Sequence, residues 1–578
     1  MKKSFKKFLA LVLAGALLTG TLAACGSKEE EQAPAPTPAA DNTPAAEPTP
    51  APADTIVDVP ADVVPGIDGY VAFDSEVTLR IPVYDRGEVT LHPVGDNFWS
   101  NYLQEKFGDQ YNIKLEFVPI ERWEQMRDYA LLAAGGILPT FLMEYDYWRV
   151  ATWVADGYMT PYNLDEFAFV APTYYQRMVD SGQMTYTTMQ GQTYFALAER
   201  PLGYTNYRFV DFVRMDWLRE VGYDYVPTGY EDEMKAMQLI KDAGLCDYPL
   251  NGQAVTGTGS DQNYHLRGFP MNESEWAMYS SLGIYAMGWE PAKEFLHREN
   301  ERYHRGFLHP EYFITDTDTA HARFINGESY IYSDYLSPTM DKLIAFYEQN
   351  PGAELAIKPA HMPGGEDSAV YRVDNPFGMC IGFSSQATAD EIKAAWMYFE
   401  WLSQEENLFE FAWGFEGENH NIVDGVPVAV GDYDGPYKQG NGGNKDYWCV
   451  VVEARVVGAS EVEDIVAANV PQGLPQDFYE MVLKRTRDQI DLTNQGYGVI
   501  DPLFGEVIEL EAEYREALSA MYIESRDKLI MGSPDEFSVL YDELSEAYNN
   551  AGFAEITAAR LALFDKGVSS RLPEQARK

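Results

Sequence analysis

This sequence predicts an α/β protein, and three observations carry the prediction. Alternating apolar runs of strand length recur between helical stretches from about Val77 onward. The 578 residues, 46% of them hydrophobic, hold enough material for two or more domains or lobes. From about Asp477 the pattern turns mostly helical, and it is acidic from Phe504 to Asp565, which predicts a helical C-terminal extension.

Taken in order, Val77 to Tyr84 alternates like a strand. Asp96-Asn97 can cap a helix through Trp99, Leu103 and Phe107, with Gly108 as its stop. Ile113 to Val118 is a second strand, Glu121 to Ala134 a helix stopped by Gly135-Gly136, and Thr140 to Met143 a short buried strand. Strand-helix-strand-helix-strand implies a parallel sheet with right-handed crossovers. Ligands in such sheets bind beyond the carboxyl ends of the strands, which draws attention to Asp85-Arg86, Pro119 and Glu144-Tyr145. Further on, Met184 to Leu197 reads as a hairpin with Gln190-Gly191 as its turn, and Asn206 to Arg214 as a strand. Asp316 and Asp318 are placed to cap the helix holding Phe324. Asn375 to Ser384 is strand-like, and Glu391 to Leu402 and Glu405 to Trp413 are helices.

The start of the chain is of another kind. Lys2, Lys3, Lys6 and Lys7 precede an apolar run from Phe8 to Leu18, then small residues lead to Leu22-Ala23-Ala24-Cys25. The run is short of the ~20 apolar residues a spanning helix needs, so residues 1–24 read as a secretory signal. Leu-Ala-Ala-Cys resembles the bacterial lipobox, which implies cleavage before Cys25 and lipidation of that residue, palmitate included. Residues 25–60 then form a Pro/Ala-rich tether with no aromatic residue to pack. About thirty such residues at ~3.1 Å each reach ~90 Å at most.

Lys and Arg number 43 against 90 Asp and Glu, a net charge of −47. A surface this acidic repels nucleic acid and anionic lipid, so neither is expected as a partner. Cys246, Cys380 and Cys449 follow Cys25 with no Cys-x-x-Cys spacing, and we expect three buried thiols rather than a structural disulfide.

A series of motifs goes beyond pattern. Gly191-Gln-Thr-Tyr-Phe-Ala-Leu197 is followed by Asn206, Val213-Arg-Met-Asp-Trp-Leu218 and Pro227-Thr228. Then come Phe324-x-x-Gly327-Glu-Ser-Tyr330, Ala394 to Asn407, and Trp413-Gly-Phe-Glu-Gly417. In this order the series resembles the family 1 extracellular solute-binding proteins of ABC importers, in particular the large Gram-positive lipoprotein branch taken for carbohydrate binders. The resemblance covers about Val77 to Val428. It implies a two-lobe, type II-like periplasmic-binding-protein fold, each lobe a sheet flanked by helices. By that analogy lobe 1 holds 77–200 plus 375–430, and lobe 2 holds 201–374 plus 431–578 with the helical tail. Hinges are expected at Ala198–Asn206 and Arg372–Gly378. The implied function is capture of a carbohydrate, an oligosaccharide by preference, and its delivery to ABC permease subunits from the outer face of the cell membrane. The protein is expected to act as a monomer.

A sugar binder needs aromatic plates for C–H faces and planar polar groups for hydroxyls. Position singles out Glu144 and Tyr145 after the third strand, and Asn97 and Trp99 at a helix start. It also singles out Tyr204 and Asn206 at the first crossing, Asn375 at the second, Tyr332, Asp334 and Tyr335 in the strand after Gly327, and Trp276 between helices. Asn97 and Asn206 serve equally as caps or turn formers, and Glu144 and Asp334 as surface charges. Trp396, Trp401 and Trp413 read as packing.

No metal site or cofactor is expected. His297, His304 and His309 lack the further ligands a metal site needs, and Asp316-x-Asp318 lacks the glycine and closing glutamate of a calcium loop. No Gly-x-Ser-x-Gly elbow or phosphate-binding glycine loop is present. A secreted glycoside hydrolase is the enzymatic alternative, since 90 acidic residues always supply a carboxylate pair on paper. A sugar-sensing module of a membrane receptor is the other.

Overall fold

The structure is a computed structural model that describes residues 66–87, 93–200, 209–250, 272–280, 284–336, 338–359, 371–372, 375, 377–423, 425–430, 435, 446–451, 461–495 and 498–571. Cys25, the leader, the tether, Tyr204 and Asn206 lie outside the described residues.

The chain begins with β1 (Val77–Asp85), α1 (Phe98–Leu103), β2 (Ile113–Glu121), α2 (Gln125–Ala134), β3 (Phe141–Glu144) and α3 (Tyr147–Ala155). Along β2, Ile113, Leu115 and Phe117 are buried while Lys114 and Glu116 are exposed, the two-residue period that the sequence shows. Helices α4 (Leu164–Val170) and α5 (Pro172–Asp180) lead to β4 (Thr188–Met189), β5 (Gln192–Thr193) and β6 (Ala196–Glu199). Gln190 and Gly191 both have positive φ, 51° and 79°, as a two-residue hairpin turn requires.

The middle of the chain supplies β7 (Phe209–Arg214), α6 (Met215–Glu220), α7 (Tyr230–Asp242), α8 (Glu273–Tyr279), α9 (Glu290–His304) and α10 (Thr317–Ile325). Asp316 caps α10 through the Thr319 N–H, so capping accounts for it. Next come β8 (Ile331–Tyr335), α11 (Lys342–Gln349), β9 (Leu355–Ile357), β10 (Tyr371–Arg372), β11 (Phe377–Phe383), α12 (Ala389–Leu402), α13 (Glu405–Trp413), β12 (His420–Val423) and β13 (Val426–Ala429). The tail holds α14 (Val462–Asn469), α15 (Gln476–Asn494), β14 (Gly498–Val499), α16 (Glu509–Met531), α17 (Phe537–Tyr548) and α18 (Ala554–Asp565).

Two lobes emerge from these elements. In the first, β1 and β2 run parallel in register from Val77 opposite Ile113 to Asp85 opposite Glu121. The sequence implies that β3 extends this parallel sheet. Instead β3 meets β1 through Thr140, which exchanges bonds with the Arg80 backbone, and forms its ladder with antiparallel β11. The order there is β3–β11–β6. All seven residues of β11 are buried, so it needs cover on both faces and partners on both edges, and a central place supplies them. Gly382 is required in it, because a Cβ there would come 2.8 Å from the Tyr194 carbonyl oxygen. Helix α12 packs on this lobe with Trp396 stacked 4.1 Å from Phe167. Its start is a capping box of Thr388 and Glu391. Thr388→Ala is expected to lower stability by ~1 kcal/mol, read as a small downward shift of the melting temperature.

The second lobe is built on the sheet β8–β7–β9. On one face Phe212 stacks on Phe478 of α15, and Tyr332 packs on Phe324 of α10. On the other, Val213 and Ile331 join a core with α6, α7 and α9. Helices α16 to α18 complete that core rather than hang from it. Asn300 donates to the carbonyls of Leu529, Ile530 and Gly532, the Tyr285 and Tyr522 rings stack at 3.6 Å, and Tyr548 donates to the Tyr285 carbonyl. His297 and His304 serve the same contact, His297 against Phe537 and His304 at the Gly532 carbonyl.

One segment departs from the expected division. Residues 446–451 pack into the first lobe, with Tyr447 buried against Phe117 and its hydroxyl donating to the Val94 carbonyl. Among the described residues the chain thus leaves the first lobe after Glu199, returns to it by Phe377 and meets it again at 446–451. Glu199 sits between the two returning segments, opposite Phe377 and donating to the Val450 carbonyl. Cys380 and Cys449 are buried free thiols, whereas Cys246 is only half-buried.

Candidate functional site

A cleft of about 720 Å³ opens between the lobes. One wall is the end of β2, α2 and the start of α3; the other is residues 501–508 and α16. Arg200, Asn375 and Phe377, from two of the chain crossings, also line it. Its volume is that of a small-molecule site.

Five aromatic residues line the cleft: Trp123, Tyr147, Trp148, Phe377 and Phe504. Trp123 is 79% exposed, just beyond β2, the most open large aromatic among the described residues. Trp148, in the first turn of α3, carries the Arg515 guanidinium 3.4 Å from its ring centre, a cation–π contact between the lobes. Burial pulls the Arg515 pKa down to about 10, with Arg149 and Arg560 adding and Glu511 opposing, so it stays charged at neutral pH. Arg560 lies 4.8 Å over Phe504.

Behind the first-lobe wall is a polar network. Glu144 is fully buried at the end of β3. Its carboxylate accepts from the N–H groups of Tyr145 and Asp146, from Gln125, and from Arg149 at 3.3 Å. Burial pushes its pKa up and Asp146 adds to this, while Arg149 and Arg122 pull it back. Tyr145 donates to Asp446, which holds Arg86 through two bonds of 2.9 and 3.1 Å. These side chains tie the segments that follow β1 and β3 to each other through Asp446, and the end of β3 to the start of α2.

The sequence-selected residues divide accordingly. Asn375 lies in the cleft, and its side-chain oxygen is buried without a hydrogen bond. Glu144 and Tyr145 adjoin it through Asp146, as supports behind the wall. Asn97 is a helix cap, accepting from Trp99 and Ser100 and donating to the Tyr447 hydroxyl. Trp99 is 1% exposed and stacks on Phe411 at 5.1 Å, so its faces are taken. Trp276 is fully buried and donates to the Ile500 carbonyl. Tyr332 is fully buried too, bonded to Asp334, with Lys342 3.4 Å from that carboxylate. Tyr335 closes β8 opposite Phe209. Burial thus places Trp99, Trp276 and Tyr332 in the packing: position in sequence locates a strand end but not the direction of a ring. Trp123, Trp148 and Arg149 were missed, although the strand-end rule that selected Pro119 and Tyr145 lies within four residues of each. Arg515 carries no such signal. Among the described residues no cluster of His, Cys, Asp and Glu could hold a metal ion.

The fold is that of the solute-binding proteins of ABC transporters. Among solved structures the chain is similar to an extracellular solute-binding protein from Bifidobacterium longum subsp. infantis, with a TM-score of 0.58 and 13% identity, covering 86% of this chain and 100% of that one. It is similar to the alginate-binding protein AlgQ2 without calcium ion, at a TM-score of 0.56, 14% identity, and 86% and 99% coverage. It is also similar to an ABC-transporter-associated solute-binding protein from Bifidobacterium longum infantis that binds HMO, at 0.56, 12% identity, and 85% and 99% coverage. All three are named as binding proteins, and at these identities the likeness is one of fold. No protein-family model and no curated protein matches the sequence.

Proposed function

We propose that this protein is a membrane-anchored solute-binding lipoprotein that captures an oligosaccharide between its lobes and hands it to an ABC permease. The observation that carries the reading is the cleft, with the open ring of Trp123 on its wall and crossing segments beside it. An exposed tryptophan beside planar polar groups is suited to the flat face and hydroxyls of a sugar. Asn375, with an unmet buried acceptor at a crossing, would take a hydroxyl and sense closure. The alginate-binding and HMO-binding proteins of the same fold support a carbohydrate ligand. A thermal-shift screen of the purified chain against a glycan library tests it: a ligand of the native state raises the melting temperature by mass action. Shifts with peptides and none with any glycan would overturn the carbohydrate reading.

The anchor rests on Leu22-Ala23-Ala24-Cys25 and the tether behind it. The lipid on Cys25 is the proposed hold; no helix among the described residues is long and apolar enough to cross a membrane. Cys25→Ser is expected to move the protein out of the membrane fraction, or leave it unprocessed, with glycan affinity unchanged. Loss of binding in that variant would show that anchor and trap are not separate modules.

A further inference from the structure

The facing walls of the cleft touch directly. The Arg515 guanidinium of α16 lies 3.4 Å from the ring centre of Trp148 on α3. That is well inside the ~6 Å reach of a cation–π contact. A second contact is made by backbone alone: the Gln190 N–H, in the turn between β4 and β5, donates to the Gly505 carbonyl at 2.9 Å. Gly505 is fastened to the second lobe in turn, its N–H bonded to the Val568 carbonyl. The protein's own groups therefore join the two walls.

The seat of Arg515 is finely balanced. Its side chain is only 14% exposed. Glu511 bonds it at 3.3 Å, yet the same carboxylate holds Arg560 at 2.8 Å, so one anion serves two guanidiniums of the second lobe. Arg149 brings a third guanidinium to the Trp148 ring, at 5.0 Å. Burial works against the Arg515 charge, and so do Arg149 and Arg560, while Glu511 and Asp146 favour it. Asp146 immediately precedes α3 and belongs, like Trp148, to the first lobe. The first lobe thus offers a ring face and a negative charge to a guanidinium that its own lobe holds poorly. When the lobes part, Arg515 gives up the ring but regains water, so the contact can break as well as form.

We infer that Arg515 is a latch: seated on Trp148, it draws the two lobes together without a ligand, and the lobes must part there to admit one. Arg515 is in this sense a positioning residue of the cleft. The inference rests on the solute-capture reading above for its purpose, and goes further by naming what governs the opening of that same site.

The test is small-angle X-ray scattering of the purified chain with no ligand added, each profile fitted as a mixture of closed and open lobes. The unaltered chain is expected to be mostly closed. Arg515→Met and Trp148→Ala should each raise the open-to-closed ratio about tenfold, the order of one desolvated cation–π contact, and the radius of gyration with it. Combining them should open the lobes no further than either alone, because both remove the same contact. Arg515→Lys keeps a cation over the ring and should stay mostly closed, a rescue that restored packing alone would not give. Melting temperatures close to that of the unaltered chain establish that the variants are folded, and Arg515→Gln takes the place of Arg515→Met if methionine fails that check. An unaltered chain that is open, a folded uncharged variant that stays closed, or effects that add in the double variant would overturn the inference. No sugar enters the experiment, so these outcomes leave the carbohydrate reading standing, and a glycan screen without a hit leaves the latch standing in turn.

Discussion

Arg560→Met is expected to destabilise the second lobe by about 3–5 kcal/mol, the usual consequence of removing one partner of a buried ion pair. Arg560 is 2% exposed on α18 and ties three helices together. Its Nε donates to the Ala277 carbonyl and Nη2 to that of Ser280 at the end of α8, while Nη1 meets Glu511 of α16 at 2.8 Å. Methionine fills much of the same space but leaves two buried carbonyls unbonded and Glu511 with Arg515 alone. Urea denaturation followed by tryptophan fluorescence reads the loss as a lower midpoint. Arg560→Lys should recover part of it, since one of three bonds and the charge persist. A shift under about 1 kcal/mol would mean that α16 to α18 are an appendage and not part of the lobe.

Trp123→Ala is expected to weaken a glycan found by the screen by roughly 1–3 kcal/mol, about five- to 150-fold in dissociation constant. The same change should leave the melting temperature nearly untouched, because the ring is 79% exposed and buries little in the unliganded protein. Trp123→Phe keeps an apolar plate and should retain most of the affinity. Equal binding by Trp123→Ala and the unaltered protein would place the sugar elsewhere in the cleft.

The legible part of this molecule is the part governed by short-range rules. The two-residue period placed β1 and β2, Gln190-Gly191 placed its hairpin, and the run from Glu391 to Leu402 placed the body of α12. Strand-end logic led to Glu144 and Tyr145, on the rear of the wall whose front is Trp123 and Trp148. Pairing between distant segments was out of reach. Nothing local in Phe377 to Phe383 says that it enters antiparallel between β3 and β6, and nothing near Tyr447 says that its ring returns to Phe117. Ring direction was equally hidden. Trp99 opens α1 and Trp123 follows β2, yet one is 1% exposed and the other 79%. The difference lies in what the rest of the chain brings against them, Phe411 in the first case and solvent in the second.

The central place of β11 has a consequence for the order in which the protein can be made. A chain grows from its amino end, and β3 and β6 are both complete by Glu199. The strand that joins them ends at Phe383, and the segment that seals the same core ends at Val451. Throughout the interval the first lobe has two strand edges with no partner, while the whole of β7 to β9 is being added. Contacts spanning such distances along the chain close slowly. The half-made lobe must therefore stay dispersed without being folded, and the surplus of acidic over basic residues along the chain is a physical means to that end, since like-charged nascent chains repel before their edges can pair.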